Sequence, residues 1–255
     1  MRHHDRIRLE FSKQAVLYSQ NASIRDSARL ERLVQAVSPA KDASVLDIAT
    51  GPGYVALAFA EVCREVIGVD LTPRMLELAE SHRRSRKLSN ASFQRGTAEK
   101  LPFPARRFDV VVSRLALHHF RVPARVIAEA VRVCRPGGTV AIEDLVASEH
   151  PKRAAYQNRV EKLRDPSHTK ALSATGLIRL LSMAGLEIQS LYWVELIQDV
   201  EKWLATSVTP EPVARKVRAL MVQDEKRNLS GLCPFHVDGR LYFRHNTLTV
   251  VARKI

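Results

Sequence analysis

Five short apolar runs separated by helix-spaced segments constrain this chain more than any other feature it has. Residues 45–48, 66–69, 91–94, 108–112 and 139–142 read as strands. Between them, apolar residues recur at helical intervals. Ile24, Leu30, Leu33, Val34 and Val37 form one such face, which Ser38-Pro39 ends, and a further helix is expected over about residues 53–64. Thr72-Pro73 starts the next with a hydroxyl cap and a proline whose missing N–H costs nothing at the first helical position. Met75, Leu76 and Ala79 give it an apolar face, and a helix over about 123–134 stops at Pro136-Gly137-Gly138. Strand and helix in alternation imply a parallel sheet covered on both faces, because each right-handed crossover needs its helix. Ligands of such sheets sit at the carboxyl ends of the strands.

After residue 142 the rhythm changes. Residues 150–172 read as a polar segment, Ser173 caps a helix that Gly185 ends, and 186–196 reads as a strand. A long helical stretch containing Pro210 and Pro212 then leads to a last strand at about 241–251. With 255 residues, 45% of them apolar, the chain is expected to form one domain over 1–255, without repeats or flexible linkers.

Composition removes several function classes. No run approaches the roughly eighteen apolar residues of a membrane span, and the first residues lack the apolar stretch of a signal peptide, so a cytoplasmic location is expected. Cys63, Cys134 and Cys233 are far apart with no Cys-x-x-Cys pair, which encodes neither a disulfide framework nor a metal site. A formal charge of +13 is compatible with nucleic acid, peripheral contact with an anionic membrane, or an acidic substrate. The densest cluster, Arg83, Arg84, Arg86 and Lys87, follows an apolar-periodic helix and reads first as its solvated last turn, where cations oppose the dipole. No aromatics interleave the basic residues as in a single-strand groove, so a nucleic-acid partner rests on charge alone.

The turn after the first strand carries the chemistry. Gly51 and Gly53 permit a sharp bend and a ligand laid against bare peptide. The run Gly51 to Ala56 also fits the Gly-x-Gly-x-x-Ala form of a dinucleotide site. Asp47 argues against that reading, since a carboxylate there repels a pyrophosphate and suits a ligand with an ammonium and a sulfonium. Asp70, closing the second strand, stands where a carboxylate accepts from both ribose hydroxyls.

With these motifs in order, the chain resembles the class I S-adenosylmethionine-dependent methyltransferases, and among them the ubiquinone and menaquinone biosynthesis C-methyltransferases. Residues 45–53 match the glycine motif, 66–75 the ribose motif, 96–104 the adenine motif, 108–120 the fourth strand and its loop, and 135–142 the entry to strand five. The resemblance implies a Rossmann-like α/β fold with a seven-stranded, mostly parallel sheet, helices on both faces and an antiparallel last strand. It implies S-adenosyl-L-methionine as cofactor, held by Asp47, Ala49, Thr50, Gly51 and Gly53 at the methionine end and by Asp70 and Leu71 at the ribose and adenine. Thr97, Ala98 and Glu99 come from the adenine motif, and Arg114 and Leu115 meet the methionine amino group. Ala49 stands where a glycine is usual, and Thr97 where an aspartate commonly accepts from the adenine. Residues 1–22, with Phe11 and Tyr18, are expected to fold over the cofactor, and 145–172 and 198–239 to be substrate-side insertions.

Methyl transfer asks mainly for in-line alignment, and a base only where the acceptor must lose a proton. His118 and His119 follow strand four and are the candidates, with His168 behind them; packing at the cleft rim is their competing role. Trp193, Trp203, Phe235 and Tyr242 are candidates to stack on an aromatic acceptor. A small organic acceptor is expected. The alternatives are an RNA methyltransferase, although Ser113-Arg114-Leu115-Ala116 is not the Asn/Asp-Pro-Pro-Tyr/Phe motif of exocyclic-amine enzymes, and a cofactor-binding protein that does not methylate.

Overall fold

A computed structural model describes residues 3–255. The first two residues of the expected 1–22 covering segment lie outside the described residues.

The chain opens with α1 (His3–Gln20), α2 (Ala22–Arg25) and α3 (Ser27–Val37). Side chains set both breaks: Asn21 accepts from Ser23 N at 2.9 Å and Asp26 from Arg29 N at 3.3 Å, each capping the helix that follows. The alternating part then runs β1 (Ser44–Ile48), α4 (Tyr54–Ala60), β2 (Glu65–Asp70), α5 (Pro73–Ser85), β3 (Ala91–Arg95), β4 (Phe108–Arg114), α6 (Pro123–Val133) and β5 (Cys134–Ala147). It continues with α7 (Pro151–Arg164), β6 (Leu172–Ser173), α8 (Ala174–Met183), β7 (Leu186–Asp199), α9 (Val200–Thr206), α10 (Glu211–Arg227), β8 (Phe235–Val237) and β9 (Arg240–Lys254).

The sheet order is β3-β2-β1-β4-β5-β9-β7. β1 to β5 pair in parallel, and β9 runs antiparallel between β5 and β7. The expected sheet of seven strands is a sheet of nine among the described residues. Seven lie on the main path, while β6 pairs with β5 and β8 with β9. Runs of two and three residues carry too little periodicity to be read.

Alternate residues of β1 divide the core as a period-two strand requires. Leu46 and Ile48 pack with Val111, Ile127, Val140 and Leu181 on one face. Val45 packs with Leu33, Leu57 and Phe59 on the other. A third cluster, including Val160, Trp203, Val217, Met221 and Phe243, binds α7, α9 and α10 to β9.

Other boundaries move for identifiable reasons. The helix expected over 53–64 ends at Ala60, and residues 61–64 form a turn. The polar segment over 150–172 contains α7, whose buried residues are Gln157, Val160 and Glu161. That buried face is largely polar, so no apolar stripe marks it. The long helical stretch is two helices, parted before Pro210. Of the basic cluster, Arg83 and Arg84 pair with Glu80, and Arg86 with Glu61.

Glu143 in β5 carries an ion cluster that ties four elements together. Its Oε1 accepts from Arg29 of α3 at 2.7 Å and from Arg114 of β4 at 3.1 Å, and its Oε2 accepts from Thr249 of β9 at 3.1 Å. All four side chains are buried. Removing the only carboxylate among the described residues that pairs with these two buried guanidinium groups leaves them unpaired, at a cost of about 3–5 kcal/mol. Glu143→Ala is therefore expected to lower the unfolding free energy in urea titrations by about that amount; a loss under about 1 kcal/mol contradicts this role.

Candidate active site

At the carboxyl ends of β1, β2 and β4, where the strand order reverses, lies a cavity, the place where ligands of open α/β sheets bind. Of the sequence-derived cofactor residues it is lined by Ala49, Gly51, Asp70, Leu71, Thr97, Ala98, Arg114 and Leu115. Asp47, Thr50, Gly53 and Glu99 are not on its wall.

Each of those four has another partner. Asp47 is 1% exposed, and its Oδ2 accepts from Thr50 Oγ1 at 2.6 Å and from Ala56 N at 3.1 Å, pinning the turn from behind. Burial lifts its carboxyl to about 7 against the pull of those two hydrogen bonds. Gly53, at φ +83°, is a packing glycine: a Cβ there meets Ala79 and the Phe93 ring at 2.8 Å. Glu99 pairs with His4 on α1.

The wall itself combines a carboxylate, bare backbone and an apolar slot. Asp70 accepts from Gly51 N at 2.9 Å and Thr72 N at 2.8 Å, which aims the carboxylate across the glycine turn. Burial raises its pKa, and these backbone donors offset part of the rise. Ala49 and Leu115 both hold positive φ, +56° and +53°, a conformation that costs a residue with a side chain roughly 1–2 kcal/mol. Leu115 is kept there by its N–H, which donates to the Glu143 carbonyl at 2.7 Å. Two of the nine non-glycine residues with positive φ among the described residues thus stand on the wall of this cavity. Val69, Leu71, Met75, Ala98 and Phe120 supply the apolar slot; Thr97 also lines the cavity, and its hydroxyl donates to Lys100 O at 3.4 Å. His4, Ile7, Phe11 and Tyr18 of α1 complete the wall. Of these contacts, the sequence named only Phe11 and Tyr18. Neither His4 nor Ile7 carries a readable motif.

A second cavity, of about 590 Å³, shares Phe11, Tyr18, Leu115 and His119 with the first. Its other walls come from α7, α9, β7 and β9, including Arg164, Asp165, Gln198, Trp203 and His245. Trp193 and Phe235 do not line it; Phe235 stacks on Tyr242. Trp203 does, but packs against Phe243 and Arg164.

The two neighbouring histidines occupy different chemical states. His118 receives Asp144 twice, at its backbone N (2.8 Å) and at Nδ1 (2.5 Å). Burial opposes its charge, and Asp144 outweighs burial, so its pKa is raised. His119 is held well below the ordinary histidine value, first by burial and then by the positive charge of His118. Its Nδ1 lies 3.0 Å from Ser167 Oγ, which donates its one proton to Asp165 Oδ1 at 2.6 Å. The Ser167 oxygen therefore accepts from Nδ1–H, leaving the Nε2 lone pair of His119 free. His168 bonds Asn158 at 2.8 Å and lines neither cavity. Burial pushes the Tyr18 phenol up to about 12, so it stays protonated.

The sheet order and the cavity at its switch point define a Rossmann-like ligand-binding α/β protein. A methyltransferase domain family matches residues 46–142. The methyltransferase YcgJ of Bacillus subtilis is 34% identical over 200 residues, covering 78% of this chain and 79% of that protein. Its crystal structure superposes with a TM-score of 0.82 at 30% identity, over 88% of this chain and 97% of that one. The Bacillus halodurans methyltransferase candidate BH2331 gives 0.84 at 30% identity, over 89% and 99%. The demethylmenaquinone methyltransferase of Chlorobaculum parvum is 34% identical over 112 residues, 44% of each chain.

The chain belongs to the class I S-adenosylmethionine-dependent methyltransferases, and S-adenosyl-L-methionine is its cofactor. The first cavity fits that group: an acid for the ribose hydroxyls, an apolar slot for the base, and bare peptide at Ala49 and Gly51 for the amino-acid end. Asp70→Asn keeps the size of the side chain and removes the charge. It is expected to weaken S-adenosylhomocysteine binding by about 1.5–3 kcal/mol, roughly tenfold to a hundredfold by calorimetry. An unchanged affinity removes Asp70 from the site.

Proposed function

We propose that this protein transfers the methyl group of S-adenosyl-L-methionine to a small organic acceptor bound in the second cavity, with His119 as the general base. The observation that carries this reading is the position of His119 on the wall common to both cavities, with a neutral ring and an unspent Nε2.

When bound, the cofactor supplies a methyl group on a sulfonium, a good leaving group that needs only an aligned nucleophile. The chain supplies the rest. Asp70, Ala49, Gly51 and Leu115 hold and orient the donor end, and α1 closes over it and excludes water. Phe11 meets the His119 ring edge-on at 4.9 Å between centroids and fixes the ring. Asp165 and Ser167 set its tautomer, so that Nε2 accepts the acceptor's proton and the new charge is spread toward Asp165. His118, already engaged by Asp144, is a positioning and electrostatic neighbour rather than the base.

A polyanionic acceptor has less support. Three of the four residues of the densest basic cluster are paired with acids, and the second cavity is built from helices and strand ends rather than an open groove. The reaction is assigned to the cytosol, in keeping with unpaired Cys63, Cys134 and Cys233; no helix among the described residues is long and apolar enough to cross a membrane.

The test is His119→Gln, assayed against a panel of labelled-methyl acceptors. It is expected to lower kcat by about 10²-fold or more while leaving S-adenosylhomocysteine affinity within a few-fold. The sign of the pH dependence follows from the lowered pKa. Neutral His119 is the active form, so the wild-type rate stays level as pH falls to about 6.5 and is lost only well below it. A kcat limb centred at or above the ordinary histidine value, or a glutamine variant of near-normal rate, contradicts the assignment.

A further inference from the structure

Among the charged side chains of the second cavity, Arg164 is the one whose donors are not spent. Asp165 gives one oxygen to Ser167, N–H and O–H both, and the other to Gln14. His118 is bound to Asp144, and His245 to Glu161. Arg164, the last residue of α7, uses only its Nε–H, which donates to the Trp203 carbonyl at 3.2 Å. Its terminal amino groups make no hydrogen bond and no ion pair among the described residues, although the side chain lines the cavity with His119.

This guanidinium is also held still. It lies 4.8 Å from the centroid of the Trp203 ring, and the Arg164 carbonyl accepts from Thr209 Oγ1 at 3.1 Å. With the Nε–H bond, the guanidinium has two attachments to Trp203 of α9, and the Arg164 backbone a third to the turn after it. Trp203 is only 4% exposed, so its ring serves as the platform for Arg164 and not for a ligand. A fork fixed at its stem, on a side chain that lines the cavity, carries two parallel N–H donors whose spacing matches the two oxygens of a carboxylate.

Resting on the methyl-transfer reading above, we propose that the acceptor is a small carboxylic acid, bound as its carboxylate on Arg164. The anion is then the anchor, and a separate nucleophilic atom of the same molecule is turned toward His119. The basic balance of the chain assists capture of such an acid, and the fork selects it over its neutral analogues.

The test reads binding by Trp203, one of two tryptophans in the chain. Trp193→Phe removes the other, which is exposed on β7 and lines neither cavity. In that background, with saturating S-adenosylhomocysteine, the full chain is titrated with matched acids and amides: benzoate and benzamide, 4-hydroxybenzoate and its amide, propionate and propionamide. At least one acid is expected to change Trp203 emission with a Kd tenfold or more below that of its amide. Arg164→Gln should abolish the preference, and Arg164→Lys should restore only part of it. No preference in any pair, or a preference that survives in the glutamine variant, overturns the proposal. Should the glutamine variant fail to fold by circular dichroism, full retention of the preference in the lysine variant overturns it instead. Calorimetry of S-adenosylhomocysteine alone separates the two readings, because failure there sinks the cofactor site, whereas normal binding with an indifferent Arg164 sinks only the acid.

Discussion

One buried acid between two buried arginines fixes the geometry on which the site depends. Glu143 neutralises Arg29 and Arg114 together, and its own carbonyl takes the Leu115 N–H that forces the backbone into its left-handed turn at the cavity wall. One carboxylate for two guanidinium groups leaves a positive charge to be met by dipoles. Arg114 meets part of it by donating to the carbonyls of Ile24 and Ser23, at 2.8 and 3.1 Å. Those carbonyls belong to α2, so the cluster reaches from the centre of the sheet to the short helix that follows the cover of the cofactor cavity. One charged cluster thus ties the cavity wall at Leu115 to α2, α3 and β9.

The sequence was most legible where burial is apolar. The first five strands and the helices between them could be read because Val45, Leu46, Val111 and their neighbours pack into two apolar layers. The reading of β4 stopped at Val112 and that of β5 at Ile142, yet the strands run on to Arg114 and Ala147. The missed ends contain Ser113, Arg114, Glu143 and Asp144, buried polar groups whose partners come from distant parts of the chain. Hydrophobic pattern fails at the carboxyl edge for the same reason that the edge is functional: it is where the core becomes polar. In α7 the buried face joins Gln157 and Glu161, the latter engaged by His245, and only tertiary contact reveals that as a helix face. Pro151 at its start was the one local cue. Arg164 and Asp165 stand at its end, so the segment 145–172 is legible as a substrate-side insertion without the two charged residues it brings to the second cavity.

The glycine motif was legible as a motif and less so in its division of labour. Gly51 reaches the cavity, whereas Gly53 is demanded by packing against Phe93 and Ala79. Asp47 holds Thr50 and the Ala56 N–H from behind the turn and does not line the cavity. Burial raises its pKa, which weakens its charge toward a cationic ligand. The alanine at position 49 keeps the left-handed angle that a glycine takes without cost, which the rest of the turn must over-determine.

Two histidines side by side with opposite demands are the chemical core of this account. His118 is drawn toward the charged form by Asp144, and burial, with the charge of His118 beside it, keeps His119 neutral. Nitrogen-15 NMR of ring-labelled histidine, with His119 assigned by substitution, tests this most directly. The account predicts a neutral His119 ring at pH 7, protonated on Nδ1 and bare on Nε2. An imidazolium at that pH, or a proton resident on Nε2, contradicts it.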